Sequence, residues 1–550
     1  MDAGVEASLV RQCGLAAAAA LAIVLAGACG GNTRREDRSA SPAPGAAGAA
    51  GSGAIIASGG QGTGGTFAGA SNAATGGQGN ATGEAAQGGA PMGGFGPIAG
   101  GTTASAGTTA GASTTSGMGT SGMGASGMGA SGMGTSACPL TATAVQSAAV
   151  PTVFTVTFAT TLSDVVAAEI DFGPAGSPPT MVAPVALAQP NYATYLLGMK
   201  QNAGYAYRVK LTSAAGGTCS STDYSITTGA LTGGPTPEVM LMDAAHHEAG
   251  FVVQSINQGD EGRAFILDGD GDMVWLSPSG LLMNDLSRAH FSWDGRRIYI
   301  VRANPLNQGG SITSMALDGT DVQTLPNTAA AHHDLAATPG GIAILRWNGP
   351  DTSASTEVVE VGDDGSEKTV LADVTSVYNS SAVHTNSIHY YDRDQSYTIG
   401  DTDPSLYVKV SRSGELVWQF GGQDPKDPSK DFGGVTTWQA NHGHHFAADG
   451  TFAFFNNGPG FGVTTMGAVV VYKLDEATLT ATPVTSFTGI NSWILGDVQV
   501  LENGNFLVTA SLSGFITELT PAGDTVMTIS GLGQLGYSEF RRSLYGPPQY

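Results

Sequence analysis

Basic residues are scarce in this chain: 22 Lys and Arg stand against 45 Asp and Glu, a formal net charge of −23 over 550 residues. Only four basic and five acidic residues precede position 138, so the acidity belongs to the rest of the sequence. An acidic body without a basic run excludes nucleic acid as a partner, because binding phosphates needs a positive footprint. Cysteine is also scarce, with four residues and no CxxC or Cys/His spacing of the kind that holds zinc. No long apolar run suited to crossing a bilayer occurs, and no histidine occurs before position 246. Glycine is in excess instead, at 81 positions, and its uneven distribution divides the chain.

The first 29 residues read as an export signal. Arg11 precedes an apolar stretch from Gly14 to Leu25, too short to span a membrane, and small residues lead to Cys29. The ending Leu25-Ala26-Gly27-Ala28-Cys29 resembles a bacterial lipoprotein signal, which implies lipidation at Cys29. An ordinary secretory signal is the other reading, and under either the chain is exported. A cell-envelope lipoprotein, in the outer membrane or periplasm, touching membrane only through its anchor, is the expectation. Residues 30–137 are almost wholly Gly, Ala, Ser and Thr, with a five-residue repeat from Ser116 to Thr135. Such a segment cannot bury enough apolar surface to offset the entropy of ordering, and reads as a flexible tether.

Residues 138–233 change to alternating, β-branched runs at Thr152–Thr160, Ala168–Phe172 and Tyr205–Thr212. Their length and spacing fit one small β-sandwich. The corner from Leu196 to Val209, with its Tyr205-Ala206-Tyr207, resembles a fibronectin type III-like domain. Cys138 and Cys219 flank this segment, and in an exported protein two such cysteines read as one disulfide.

Residues 238–550 repeat a pattern of hairpins. Turns at Asp294-Gly295, Gly340-Gly341, Asp394-Gln395, Asp449-Gly450 and Asn503-Gly504 recur every 46 to 55 residues. Second hairpins fall between them at Asp270-Gly271, Asp318-Gly319, Asp364-Gly365, Ser413-Gly414 and Ala522-Gly523. Two hairpins per unit make four strands, and the length gives six units, the period of propeller blades. The expected fold is all-β: a six-bladed β-propeller after the sandwich, with seven blades as the alternative.

Seven histidines occupy comparable places in these units: His332, His333, His384, His389, His442, His444 and His445. His333 and His442 each lie eight residues before a turn glycine, near the start of an inner strand. Inner strands of a propeller converge on its axis, so all seven are expected to gather at one mouth. Composition alone leaves a metal site and metal-free nucleophilic catalysis equally open. Asp268 to Asp272 begins like a calcium loop but lacks its glycine at position six and its closing glutamate, and reads as a hairpin. Trp275, Trp347 and Trp418 read as core.

Longer motifs carry a resemblance. His332-His333-Asp334-Leu335 with Pro339 and Gly341, His384-Thr385-Asn386-Ser387-Ile388, Leu416 to Gly422, His442 to Gly458, Gly496 to Asn505, and Tyr537 with Arg541 occur in order. Together they are similar to the bacterial arylsulfotransferases, over roughly 238–550. The resemblance implies a six-bladed propeller that moves a sulfuryl group from an aryl sulfate to a phenol through a sulfohistidine, without metal or cofactor. It implies His442 as nucleophile, His333 and His384 as donors to the sulfuryl oxygens, and Asn386 as a substrate-binding residue. One departure is Thr402, where the family carries an arginine; Arg346 and Arg541 are the expected substitutes. Asn441 and Asn456 also replace the family's glutamine and aspartate. A non-catalytic propeller that binds a ligand or protein, and a metal-dependent envelope enzyme using the enlarged histidine set, remain the alternatives.

Overall fold

Runs of β-branched and aromatic residues between Asx–Gly turns form antiparallel hairpins along the whole described chain. The computed structural model describes residues 138–548, apart from 188–191, 259–260, 281–285, 303–309, 349–354, 434, 436–437 and 459–465. The expected signal, Cys29 and the tether lie outside the described residues. Regular structure is strand, interrupted by three short 3₁₀ turns at Val374–Ser376, Pro428–Lys430 and Ser511–Ser513.

Six antiparallel sheets follow one another between residues 238 and 541. Sheets two to five are uninterrupted four-strand meanders, and their first strands are Leu286–Phe291, Ala331–Thr338, Thr385–Tyr391 and Asn441–Phe446. Sheet one holds Phe251–Gln258, Glu261–Leu267 and Met273–Leu276, and takes Gln534–Leu535 and Glu539–Arg541 from the C-terminal end. Sheet six begins at Asp497–Val500 and takes Glu238–Met242 as its outer strand. The two ends of this region are therefore each tied into the sheet at the opposite end. Turn glycines supply the left-handed backbone, as at Gly450 (φ 91°) and Gly504 (φ 87°). At the matching turn in sheet four Gln395 adopts φ 52°.

Residues 140–227 form two further sheets. One pairs Leu140–Gln146, Phe154–Thr160 and Tyr192–Leu196; the other is built on Val165–Pro174 and Gly204–Ser213. They share a core that includes Phe154, Ile170, Phe172, Tyr207 and Val209, and a Cys138–Cys219 disulfide closes it. Val150, Val153 and Leu197 enter a second core with Trp275, Ile298 and Leu544 of sheets one and two and the C-terminal segment. Thr152 donates to the carbonyl of Val274 (2.7 Å), and Tyr545 accepts from the amide of Leu197 (2.9 Å). Lys200 reaches into the Asp268–Asp272 turn, 2.6 Å from both Asp270 and Asp272. That acidic hairpin thus holds an ammonium group.

The first strands of sheets two to five each slip register near their start. The slips fall between Leu286 and Arg288, Ala331 and Leu335, Thr385 and Ser387, and Asn441 and His444. A slip of this kind leaves residues outside the ladder and re-aims their side chains. The slip of sheet two ends at Arg288, which is 1% exposed, with Nε 3.1 Å from Asp334 and Nη1 3.5 Å from Asp497. Asp334 also accepts from the amide of Ile388 (2.9 Å), and Asp497 from that of Ser538 (3.0 Å). Tyr537 lies under the guanidinium, its ring centre 5.6 Å away. One cation therefore joins the inner strands of sheets two, three and six, and through Asp334 reaches sheet four. Burial pushes the carboxyls up, Asp334 to about 6 and Asp497 to about 7, against the pull of Arg288. Replacing Arg288 by Met strands two buried carboxylates, which is expected to cost about 3–5 kcal/mol. Urea unfolding checks this. The loss should be larger near pH 8 than near pH 5, since carboxyls with raised pKa favour the folded state as they take up protons.

Candidate active site

The register slips place the site residues. His332, His333 and Asp334 fall within the slip of sheet three, Asn386 within that of sheet four, and His442 and Gly443 within that of sheet five. His333 adopts φ 55°, a strained choice for a residue with a Cβ and one that turns its ring out of the strand's alternation. Gly443 has no alternative, because a Cβ there would lie 2.1 Å from Oδ1 of Asp497.

Four imidazoles come together. His384 Nε2 lies 3.2 Å from His333 Nε2, and His333 Nδ1 lies 2.8 Å from His332 Nδ1. His332 Nε2 lies 3.3 Å from Thr356 Oγ1, and the His332 ring stacks on Trp347 at 3.9 Å. His442 stands within electrostatic reach of His384 and His333. Its Nδ1 is 2.6 Å from Oδ1 of Asn457. The Asn457 amide nitrogen donates to the carbonyls of Ser492 (2.9 Å) and Leu495 (2.8 Å), which fixes that amide's orientation. Its oxygen can only accept, so the His442 proton sits on Nδ1 and Nε2 presents a lone pair. Burial, aided by His384, lowers the His442 pKa to about 4. Burial likewise lowers His332 and His333 well below the ordinary value, and lowers His384 against the pull of Asp403. All four rings are neutral at pH 7.

Asn386 donates to the carbonyl of Asn441 (2.8 Å), beside His442, while its own Oδ1 is buried without a partner. Thr402 donates its amide to the His384 carbonyl (3.1 Å), and its buried Oγ1 also lacks a partner. Asp401 holds the same loop, accepting from the His384 amide (2.9 Å), Thr385 (3.1 Å) and the Tyr378 hydroxyl.

The expected substitutes for the missing arginine stand elsewhere. Arg346 is held by Glu357 (2.6 Å) and Glu367 (3.0 Å), one residue along the strand from Trp347 and so on its other face. Arg541 is held by Glu539 (2.8 Å) and by the carbonyls of Ser543 and Gly546, over the ring of Phe291. Both charges are matched by these partners, and neither guanidinium is among the charges that act on the four rings.

Nor do the seven histidines share one mouth. His389, His444 and His445 form a separate buried group, with ring centres of His389 and His444 4.8 Å apart. His444 is satisfied on both nitrogens, by Ser387 Oγ (2.8 Å) and Thr398 Oγ1 (2.7 Å), and His445 Nδ1 accepts from the Val500 amide (3.0 Å). The reason is local: His442 lies in the slip, whereas His444 and His445 follow it and return to the ladder. Among the described residues no three histidines offer ligand atoms within one metal-sized space. Trp347, expected in the core, is buried but forms a wall of the site. Asn457 carried no expectation beyond its place in a motif. A cavity of about 770 Å³ lies apart from the rings, between the sandwich and sheet one, beside Lys200, Phe251 and Arg542.

Imidazole ¹⁵N spectra test the assignment. His442 is expected to show a protonated Nδ1 and a bare Nε2 from neutral pH down to about 5, changing only near 4. Asn457→Leu is expected to mix the two tautomers.

A family model described as arylsulfotransferase (ASST) matches residues 344–531. No curated protein matches the chain. Among solved structures, TolB from Acinetobacter baumannii is 11% identical over 63% of this chain and 81% of its own, with a TM-score of 0.39. The periplasmic gluconolactonase PpgL of Pseudomonas aeruginosa is 15% identical over 53% of this chain and 99% of its own, with a TM-score of 0.34. A catalytically inactive virginiamycin B lyase from Staphylococcus aureus is 12% identical over 53% and 88%, with a TM-score of 0.33. The chain is thus similar to the arylsulfotransferases over the stretch that carries His384, Asn386, His442 and Asn457.

Proposed function

We propose that the chain transfers a sulfuryl group from an aryl sulfate to a phenol, with His442 as the nucleophile. The observation that carries this reading is the His442–Asn457 pair, which puts the proton on Nδ1 and the lone pair on Nε2 of a buried, neutral ring. Nε2 attacks sulfur, the S–O bond to the aryl group breaks, and the electron pair leaves on the phenolate. Asn457 cannot take the Nδ1 proton, so the sulfurylated ring keeps it and becomes a good leaving group. In the second half-reaction a phenol oxygen attacks sulfur and His442 departs neutral. His384 offers Nδ1–H to the sulfuryl oxygens, where charge spreads in the transition state, when the ring protons point outward. His333, expected as a second donor, has both ring nitrogens engaged by His384 and His332 and holds the His384 ring in place. Asn386, beside His442, orients the group.

The six consecutive sheets, with the chain ends exchanged between the first and last, support a six-bladed propeller over 238–550. The two sheets of 138–233 support a fibronectin type III-like sandwich packed on it. Export and anchoring through Cys29, by way of a tether over 30–137, rest on the sequence alone. Thr402, and the matched charges of Arg346 and Arg541, favour a second reading in which the propeller binds a small ligand or a protein without chemistry.

Incubation with 4-nitrophenyl sulfate, with and without phenol, separates the two. Nitrophenolate release that phenol accelerates and His442→Ala abolishes is expected. Asn457→Leu should lower it roughly 10²-fold, the scale of a misaligned catalytic group. Activity should persist at pH 5 and fall as pH drops through about 4, when Nε2 takes a proton. Binding without release in the unaltered protein would leave the second reading standing.

A further inference from the structure

Sulfuryl transfer to a phenol releases a proton, and the site contains a route for it that the reading above does not use. The route is the line of rings His384, His333 and His332. His384 is partly exposed, whereas His333 and His332 are buried. The contacts run Nε2 to Nε2 (3.2 Å), then Nδ1 to Nδ1 (2.8 Å), then His332 Nε2 to Thr356 Oγ1 (3.3 Å). Every link in this line joins two ring nitrogens, or a ring nitrogen and a hydroxyl. Each neutral ring carries one proton, so the line has only two consistent arrangements, one the mirror of the other. With the protons directed inward, His384 donates to His333, His333 to His332, and His332 to Thr356. That leaves Nδ1 of His384 as the open acceptor at the outer end.

We propose that His384, His333 and His332 form a proton relay that takes the acceptor's proton inward and places it on His332, against the indole of Trp347. The proposal rests on the sulfuryl-transfer reading. In the second half-reaction the phenol O–H breaks and its proton goes to Nδ1 of His384, as the oxygen bonds sulfur and the S–Nε2 bond of His442 breaks. The His384 Nε2 proton passes to His333 Nε2, and the His333 Nδ1 proton passes to His332 Nδ1. His332 then holds protons on both nitrogens, one directed at Thr356, with its ring stacked on Trp347 at 3.9 Å and 17°. An aromatic face attracts such a cation. The positive charge ends two rings away from the outer acceptor. From the neutral resting site the first phenolate leaves as an anion and the second half-reaction charges the relay. In each later turnover the reverse shift returns that proton to the departing phenolate, so those cycles neither gain nor lose one.

The groups that face the relay are few. Asp403 and Asp401 lie beside His384, and His442 lies beside His333. Trp347 and Thr356 lie against His332. His332 is therefore a relay residue that acts through its neighbours.

The test uses His332→Gln in the full chain, following the half-reactions separately. Nitrophenolate leaves without a proton, so of the reactions compared its release from 4-nitrophenyl sulfate should be slowed least. Steady-state turnover of unsubstituted phenyl sulfate and transfer to phenol should both fall by about 10²-fold, the scale of general acid–base catalysis. Equal slowing of all three would assign His332 a structural role and overturn the relay. A protein without its exchanges altered at all would overturn it too. Imidazole ¹⁵N titration reads the relay without turnover: His384, His333 and His332 should respond together to a single proton, and His332→Gln should shift the His384 midpoint. A His384 that titrates while the His332 nitrogens stay unmoved would overturn the relay. Absence of turnover in the unaltered protein with a concerted titration would instead count against the sulfuryl-transfer reading.

Discussion

The alignment of the site depends on one buried guanidinium shared by two carboxylates. Asp334 follows His333 directly, and Asp497 packs against Gly443, the residue after His442. Arg288 pulls both carboxylates toward one point, and so fixes the two slipped strand segments from which His333 and His442 project. Asp334 also accepts from the Ile388 amide, and Tyr537 donates its hydroxyl to the Asn386 carbonyl (2.9 Å), which brings in the strand that follows His384. Two acids for one base leave the cluster short of positive charge. Burial answers by raising both carboxyls toward neutral pH. A buried ion pair of this kind contributes little net stability compared with apolar packing, but removing one member is costly. Its value lies in holding several strands in one register.

The chemistry that follows is that of a neutral site. Four uncharged imidazoles, an asparagine and a threonine line it, and Arg346 and Arg541 spend their charge on carboxylates elsewhere. Neutral donors bind a sulfuryl anion less strongly than a guanidinium does. They also leave His442 deprotonated over a wide pH range and let a proton move along the rings without a fixed cation opposing it. Asn457 completes the pattern: a carboxylate in its place would draw the Nδ1 proton and stabilise a charged ground state, whereas an amide fixes the tautomer alone.

Much of this was legible in the sequence. The Asx–Gly rhythm located the hairpins and the number of sheets, since a tight turn leaves a local signature. His333, His384 and His442 stood at equivalent points of successive units, and the structure brings those three together. The grouping of all seven histidines did not survive, because a register slip of one or two residues separates His442 from His444 and His445. Such slips carry no clear sequence mark. Trp347 read as core because burial and site membership look alike in a strand; its stack on His332 depends on a ring from the neighbouring strand. Arg346 was named for its place on the strand after His333 and Arg541 for its place in the C-terminal motif, and neither position tells which carboxylates claim the charge. Asn457 could have been found as the asparagine just beyond the strand paired with the one bearing His442.

The central claim is that sulfur becomes bonded to Nε2 of His442. The most direct measurement is rapid mixing of the protein with an aryl sulfate and no acceptor, alkaline quenching, and peptide mass spectrometry. One sulfuryl group on the peptide containing His442, retained until a phenol is added and then discharged, is the predicted result. A sulfuryl group on another residue, or none while the phenolate is released, would contradict the account.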